Sequence, residues 1–299
     1  MTSIYKQYMD VPTINKIDNL FLRAKLVVEG FIIGMHKSPY HGFSVEFSEH
    51  RPYGYGDEIK YIDWKLWGKT DRFYIKQFEE ETNLKCHLIV DKSSSMGYSS
   101  GNLTKFDYSK SLSAALIYLM IKQQDAVGLT TFDKKLNITI PPKSKTTHLN
   151  LLLKTMHNCK IGGETNISLL LHSLAESITK KGLIILISDL LDDEKNIIKG
   201  LRHFRHKGHE VIIFHIMDPK ELNLDFDKNI NFIDVENNDQ LKIDSRQIKS
   251  SYNNAVKNFC NYYKSECLKN KIDYIRINTK DSLDKSLMQY LIKRANINK

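Results

Sequence analysis

The chain has 299 residues, 41% of them hydrophobic and 26% charged, with six prolines and fourteen glycines. That composition allows one large folded domain or two ordinary ones, and it excludes a fibrous chain or one dominated by disordered linkers. The net charge of +9 is spread along the sequence without a basic tract, which fits a solvated surface as well as nucleic acid, an anionic surface or an acidic protein partner.

Ile14, Ile17, Phe21, Ala24 and Val28 recur at spacings of three and four and predict a helix over 14–28. Gly30 and Gly34 then bracket a short apolar piece. Residues 42–47 alternate as a strand does. The glycines of 51–57 mark a turn, Asp57 reads as a helix N-cap, and residues 59–64 suit a short helix. Residues 73–78 alternate again, and Glu79, Glu80 and Glu81 close that stretch.

From Lys85 the rhythm becomes strand, helix, strand, helix. Strands are predicted over 85–90, 127–132, 183–188, 211–217 and 274–277, with 136–140 pairing back onto 127–132 as a hairpin. Helices are predicted over 105–123, 149–157, 167–179, 195–207, 248–268 and 283–293. The polar stretch 219–243 reads as an excursion, a hairpin on the rim. Buried strands alternating with helices imply an α/β fold with a doubly wound, mostly parallel sheet. The expected division is an N-terminal segment of helix and strand, 1–81, followed by the α/β domain, 82–299.

No apolar run approaches the roughly 20 residues of a membrane helix. The N-terminus lacks a charged-then-apolar secretory pattern, so a cytoplasmic protein is expected. The four cysteines, Cys86, Cys159, Cys260 and Cys267, include no C-x2-C pair. Buried reduced thiols are the expectation.

The stretch that carries chemistry starts at Asp91. An apolar run, His87 to Val90, ends in Asp91, followed by Ser93 and Ser95. On a tight loop after a strand, side chains at i, i+2 and i+4 can converge. One carboxylate and two hydroxyls form a hard oxygen set that suits Mg2+ or Mn2+ and disfavours zinc. Serine-rich loops after strands are common, so this loop gains weight only from further oxygen ligands downstream. Two are present: Thr165, in a glycine loop that leads into a helix, and Asp189, at the end of the strand 183–188. In open parallel sheets ligands bind beyond the C-terminal strand ends, where strand order reverses, so Asp91 and Asp189 can be neighbours.

D-x-S-x-S, a Gly-flanked Thr165 and a later strand-end Asp189 resemble the metal-ion-dependent adhesion site of the von Willebrand factor A domain. The resemblance runs from about Lys85 to the C-terminus. The preceding third (Ser38-Pro39, Gly42 to Phe47, Arg51-Pro52-Tyr53, Gly56-Asp57, Ile62-Asp63-Trp64, Lys76, Phe78 and Glu79 to Glu81) is similar to the bacterial "domain of unknown function fifty-eight" family. Members of that family carry this segment before an A-type domain and are typically encoded beside MoxR-type AAA+ ATPases. Glu164, just before Thr165, departs from many A domains.

The resemblance implies a von Willebrand factor A-like, Rossmann-like fold and a cation held by Asp91, Ser93, Ser95, Thr165 and Asp189. The first three would approach it directly, Thr165 directly or through water, and Asp189 through water or a serine hydroxyl. A Glu or Asp of a partner would complete the shell. The implied function is a non-enzymatic, Mg2+-dependent interaction module. It would act as an adaptor or co-chaperone of a MoxR-type ATPase in the maturation, assembly or metal loading of client proteins.

Other signals have plainer readings. Asp57 reads as a cap and Trp64 as a packing residue; with Asp63 they are also candidates for partner docking. His203, His206 and His209 sit where Gly208 ends a helix, and they read as part of a basic face rather than a metal site. Lys195, Lys199, Arg202 and His206 form a stripe opposite Ile197, Leu201 and Phe204, and this surface carries the alternative function of RNA or nucleic-acid binding. No G-x-S-x-G elbow, H-E-x-x-H or P-loop is present, and Ser93 stands where an acid-nucleophile phosphatase needs a second acid.

Overall fold

The computed structural model of the chain describes residues 19–36, 51–52, 54, 64–75, 84–163, 167–225, 229–233 and 240–297. Helix α1 (Leu20–His36) comes first. The Asn19 side chain caps it, accepting from the N–H groups of Phe21 at 3.0 Å and Leu22 at 3.2 Å. The helix continues beyond the expected end, through Gly30 and Gly34. No proline interrupts it, and a helical glycine costs only about 1 kcal/mol. The first residues of the predicted helix, and the predicted strand 42–47, lie outside the described residues.

Strand β1 (Arg51–Pro52), helix α2 (Trp64–Thr70) and strand β2 (Tyr74–Ile75) follow, with β1 and β2 paired antiparallel. Of the predicted short helix 59–64 only Trp64 is described, and it begins α2, which runs on to Thr70; Asp57 and Asp63 lie outside the described residues.

The alternating elements are β3 (Lys85–Asp91), α3 (Lys105–Lys122), β4 (Ala126–Phe132), β5 (Leu136–Lys143), α4 (Thr146–Asn158), α5 (Ile167–Ser177), β6 (Leu183–Ser188), α6 (Glu194–His206) and β7 (Glu210–Met217). They continue with α7 (Pro219–Leu222), β8 (Asn229–Ile233), β9 (Gln240–Asp244), α8 (Ser245–Lys269), β10 (Asp273–Asn278) and α9 (Leu283–Ile297). The main sheet has six strands in the order β10-β7-β6-β3-β4-β5. All its pairs are parallel except β4 with β5, the predicted hairpin. The polar excursion contains the expected hairpin, β8 with β9. The short helix α7 before it was not anticipated; Asp218 caps it and Pro219 occupies its first position.

Strand β6 shows why the sheet needs cover on both faces. Leu183, Ile185 and Ile187 join one core cluster, while Ile184 and Leu186 join the other. The first cluster is completed by α3, α4 and α9, and also by Leu20, Ala24, Val27 and Val28 of α1. The second is completed by α5, α6 and the end of α8. All four cysteines are buried and unbridged, as expected.

The chain passes from β3 outward to β4 and β5, then returns to lay β6, β7 and β10 on the other side. Strand order therefore reverses between β3 and β6, which makes their C-terminal ends the natural binding crevice.

Close approach of α5 to α6 depends on Gly200: a Cβ there would stand 2.7 Å from Leu171 Cβ. Alanine would gain about 1 kcal/mol of helix propensity, but overpacking costs about 1–3 kcal/mol, and Leu171 Cβ cannot move without its helix. Gly200→Ala is expected to lower the melting temperature by a few degrees in thermal unfolding. A higher melting temperature would show that the two helices separate easily.

Candidate metal centre

Asp91 is the last residue of β3 and is fully buried. Its Oδ1 accepts from the Ser93 N–H at 2.9 Å, and its Oδ2 accepts from the Ser188 hydroxyl at 2.7 Å. Ser188 is itself held by the Leu190 N–H, which donates to its Oγ at 2.9 Å. Ser93 is fully buried, and its Oγ lies 3.0 Å from Ser95 Oγ. The loop thus brings the Ser93 and Ser95 hydroxyls together next to Asp91.

The glycine loop is fastened to this serine loop. The N–H and hydroxyl of Ser94 both donate to the Gly163 carbonyl at 2.9 Å, and the Gly162 N–H donates to the Lys92 carbonyl at 2.9 Å. Gly163 has φ +57, a left-handed conformation that favours glycine. Behind the loop, Lys92 and Asp133 form an ion pair at 2.6 Å. Thr165 itself lies outside the described residues. Among the described residues, no group of three or more His, Cys, Asp and Glu side chains is placed to hold a metal, so any centre here relies on hydroxyls as well as carboxylates.

Asp189 follows β6 and is 2% exposed. Its Oδ2 accepts from Lys105 Nζ at 2.8 Å, and the same ammonium donates to Glu221 Oε1 at 2.6 Å. Lys105 and Glu221 were not singled out from the sequence. Nothing in the pattern of α3 distinguishes Lys105 from an ordinary exposed lysine, yet its side chain is fully buried.

Charge is the dominant feature. Burial first, then repulsion from Asp189, pushes the Asp91 carboxyl up to about 7, against the hydrogen bonds of Ser188 and Ser93 that pull it down. Burial also raises the Glu221 carboxyl, although Lys105 opposes that shift. For Lys105, burial disfavours the charge, but Asp189 and Glu221 more than offset it and hold the ammonium above the ordinary lysine value. Asp189 and Glu221 flank the Lys105 ammonium, and Asp91 is a further buried carboxyl beside Asp189, so among the described residues carboxyls outnumber the ammonium here.

These residues fit a small divalent cation. The donors are hard oxygens, and a cation would let the buried Asp91 carboxyl ionise. The Ser93–Ser95 oxygen separation of 3.0 Å is close to the edge of an octahedron with Mg–O bonds of about 2.1 Å. Asp91, Ser93 and Ser95 would hold the ion, with Asp189 beside them across the sheet's crossover.

The sheet order and the position of the cluster define a class, the doubly wound α/β domains of von Willebrand factor A-like type. The model of the family described as "Protein of unknown function DUF58" matches residues 49–260, and the chain belongs to that family. Curated relatives include Uncharacterized protein Rv1480 of Mycobacterium tuberculosis and Uncharacterized protein Mb1516 of Mycobacterium bovis. Each is 24% identical over 208 residues, which is 69% of this chain and 65% of the relative. The chain thus spans just under two thirds of those proteins.

Among solved structures, it is similar to an aerotolerance-related membrane protein from Bacteroides fragilis, with 18% identity, TM-score 0.50, and coverage of 70% of this chain and 99% of that one. It also matches the VWA domain of SpRpn10, with 14% identity, TM-score 0.42, and coverage of 69% and 93%. In this chain, no helix among the described residues is long and apolar enough to cross a membrane.

An unfolded aspartate titrates near 3.9. Folded, Asp91 keeps its proton up to about pH 7. Its contribution therefore favours folding below about pH 4 and is lost as the pH rises toward 7. In buffer with chelator, Asp91→Asn should gain in melting temperature relative to wild type as the pH rises from about 5 to about 8. A difference that does not change with pH would show that Asp91 is not perturbed.

Proposed function

We propose that this chain is a divalent-cation-dependent protein-recognition module. Asp91, Ser93, Ser95, Thr165 and Asp189 would hold Mg2+ or Mn2+, and a carboxylate of a partner would complete the shell. The observation that supports this reading is the meeting of Asp91, Ser93 and Ser95 beside a second buried carboxyl, Asp189, where strand order reverses. When bound, the ion supplies an electrophilic position to a ligand oxygen, and no bond need be made or broken.

The chain's own residues have separate tasks in this reading. Asp91 supplies the charge. The Ser93 N–H and the Ser188 hydroxyl fix the orientation of its carboxylate. Ser93 and Ser95 offer neutral oxygens, which leaves the bound ion undersatisfied and receptive to an acidic side chain. Ser94, bonded to Gly163, holds the glycine loop against the serine loop.

The partner we assign is a MoxR-type AAA+ ATPase in the cytoplasm, with this chain as its adaptor or co-chaperone in the maturation or assembly of client proteins. That assignment rests on the family resemblance. Residues 1–81 would form the family-specific segment, with Asp57, Asp63 and Trp64 as its candidate docking residues.

The test is a pulldown from native lysate with wild type and Asp91→Ala, each in Mg2+ and in chelator. Retention of an AAA+ ATPase by wild type in Mg2+ alone is the expected result. An ATPase held in all four conditions would contradict bridging through the metal. Nucleic acid captured regardless of Mg2+, and lost steeply with salt, would favour the basic surface of α6 instead.

A further inference from the structure

Lys105 is an unusual place for a positive charge. It is the first residue of α3 after the cap Thr104, where the helix dipole disfavours a cation. Its side chain is also fully buried, which disfavours any charge. Two carboxylates offset both costs: Asp189 Oδ2 at 2.8 Å and Glu221 Oε1 at 2.6 Å.

Each of those carboxylates is anchored elsewhere. The other Glu221 oxygen accepts from the Asp218 N–H at 2.9 Å, in the capping box of α7. Asp218 in turn accepts from the Ser100 N–H at 2.9 Å, in the loop that follows the serine turn. The other Asp189 oxygen accepts from the Leu191 N–H at 3.4 Å. The Lys105 ammonium is therefore a fixed charge held between the loops after β6 and β7, on the carboxylate that stands beside Asp91.

We infer that Lys105 sets how tightly the centre holds its cation, acting as a built-in counter-ion that keeps the affinity low. This inference rests on the cation reading above. The Lys105 ammonium, positive like the ion and held against Asp189, opposes a divalent ion at Asp91, and its effect is strong because the site is buried. Glu221 works in the opposite direction, since it draws off part of the Lys105 charge. A cation held weakly by the protein alone becomes firmly bound only when a partner contributes its own carboxylate. Cation and partner then bind together or not at all, which suits an adaptor that must release its clients.

This assignment makes two substitutions in one ion-pair network act with opposite signs. Lys105→Gln removes the opposing charge and should bind Mn2+ more tightly than wild type, by about tenfold or more. Glu221→Gln leaves the Lys105 charge less compensated and should bind Mn2+ more weakly, by a similar factor. Lys105→Arg keeps the charge and should stay near wild type.

The measurement is isothermal titration of each full-length protein with Mn2+, paired with Mn2+ electron paramagnetic resonance to count free ion. Thermal unfolding in chelator confirms that each variant is folded, and the Glu221→Gln arm decides the matter if Lys105→Gln does not fold. A purely structural role would weaken binding in both variants. Weaker or unchanged binding by Lys105→Gln would overturn the inference, as would unchanged or tighter binding by Glu221→Gln. No Mn2+ binding by any of the proteins would instead overturn the cation reading itself.

Discussion

A carboxylate buried at the end of a strand, with a second carboxylate beside it, is the constraint on which this structure turns. Asp91 has no exposed surface, and burial with the repulsion of Asp189 raises its carboxyl to about 7. A lone buried charge costs several kcal/mol unless something neutralises it. The protein supplies part of the answer in Lys105, which serves Asp189 and Glu221. What remains is a buried carboxyl, lined by serine hydroxyls, that resists ionising on its own, and a small divalent cation is the group that would let it do so.

The fold explains how residues so far apart in sequence come to share that surplus. Strands β3 and β6 are neighbours in the sheet, so Val90 pairs with Ile187 and the next residues of each strand emerge side by side. The Ser188 hydroxyl then reaches Asp91 directly. The helices that cover the sheet are part of the same arrangement. α3 carries Lys105 at its first turn and buries Leu112, Leu116 and Leu119 in the core, so the packing of its apolar face also positions the ammonium. α1, which precedes the sheet in sequence, adds Leu20, Ala24, Val27 and Val28 to that core.

Much of this could be read from the sequence. Strands buried on both faces are continuous apolar runs, and those of β3, β6 and β7 announce themselves. The Asp91, Ser93 and Ser95 spacing has a local cause, a loop right after a strand, and it is visible for that reason. The link from Asp91 to Asp189 is not local, but the rule that strand order reverses at the binding crevice made it accessible. Lys105 was hidden because a lysine near a helix start looks the same whether it is buried or exposed; only tertiary packing decides. Glu221 and the short helix α7 sat inside a polar stretch with weak periodicity, where capping by Asp218 rather than an apolar face defines the structure. The glycines of α1 suggested an end, but packing of Ala24, Val27 and Val28 and the absence of proline carried the helix past them.

A cation site at Asp91 stands or falls on whether an ion binds there. The measurement is anomalous X-ray diffraction from crystals of the full chain grown with Mn2+. The expected result is a manganese peak in contact with the Asp91 carboxylate and the Ser93 and Ser95 hydroxyls, with Ser188 still bonded to Asp91. Manganese elsewhere on the molecule with none at Asp91, or no peak at saturating Mn2+, would contradict it.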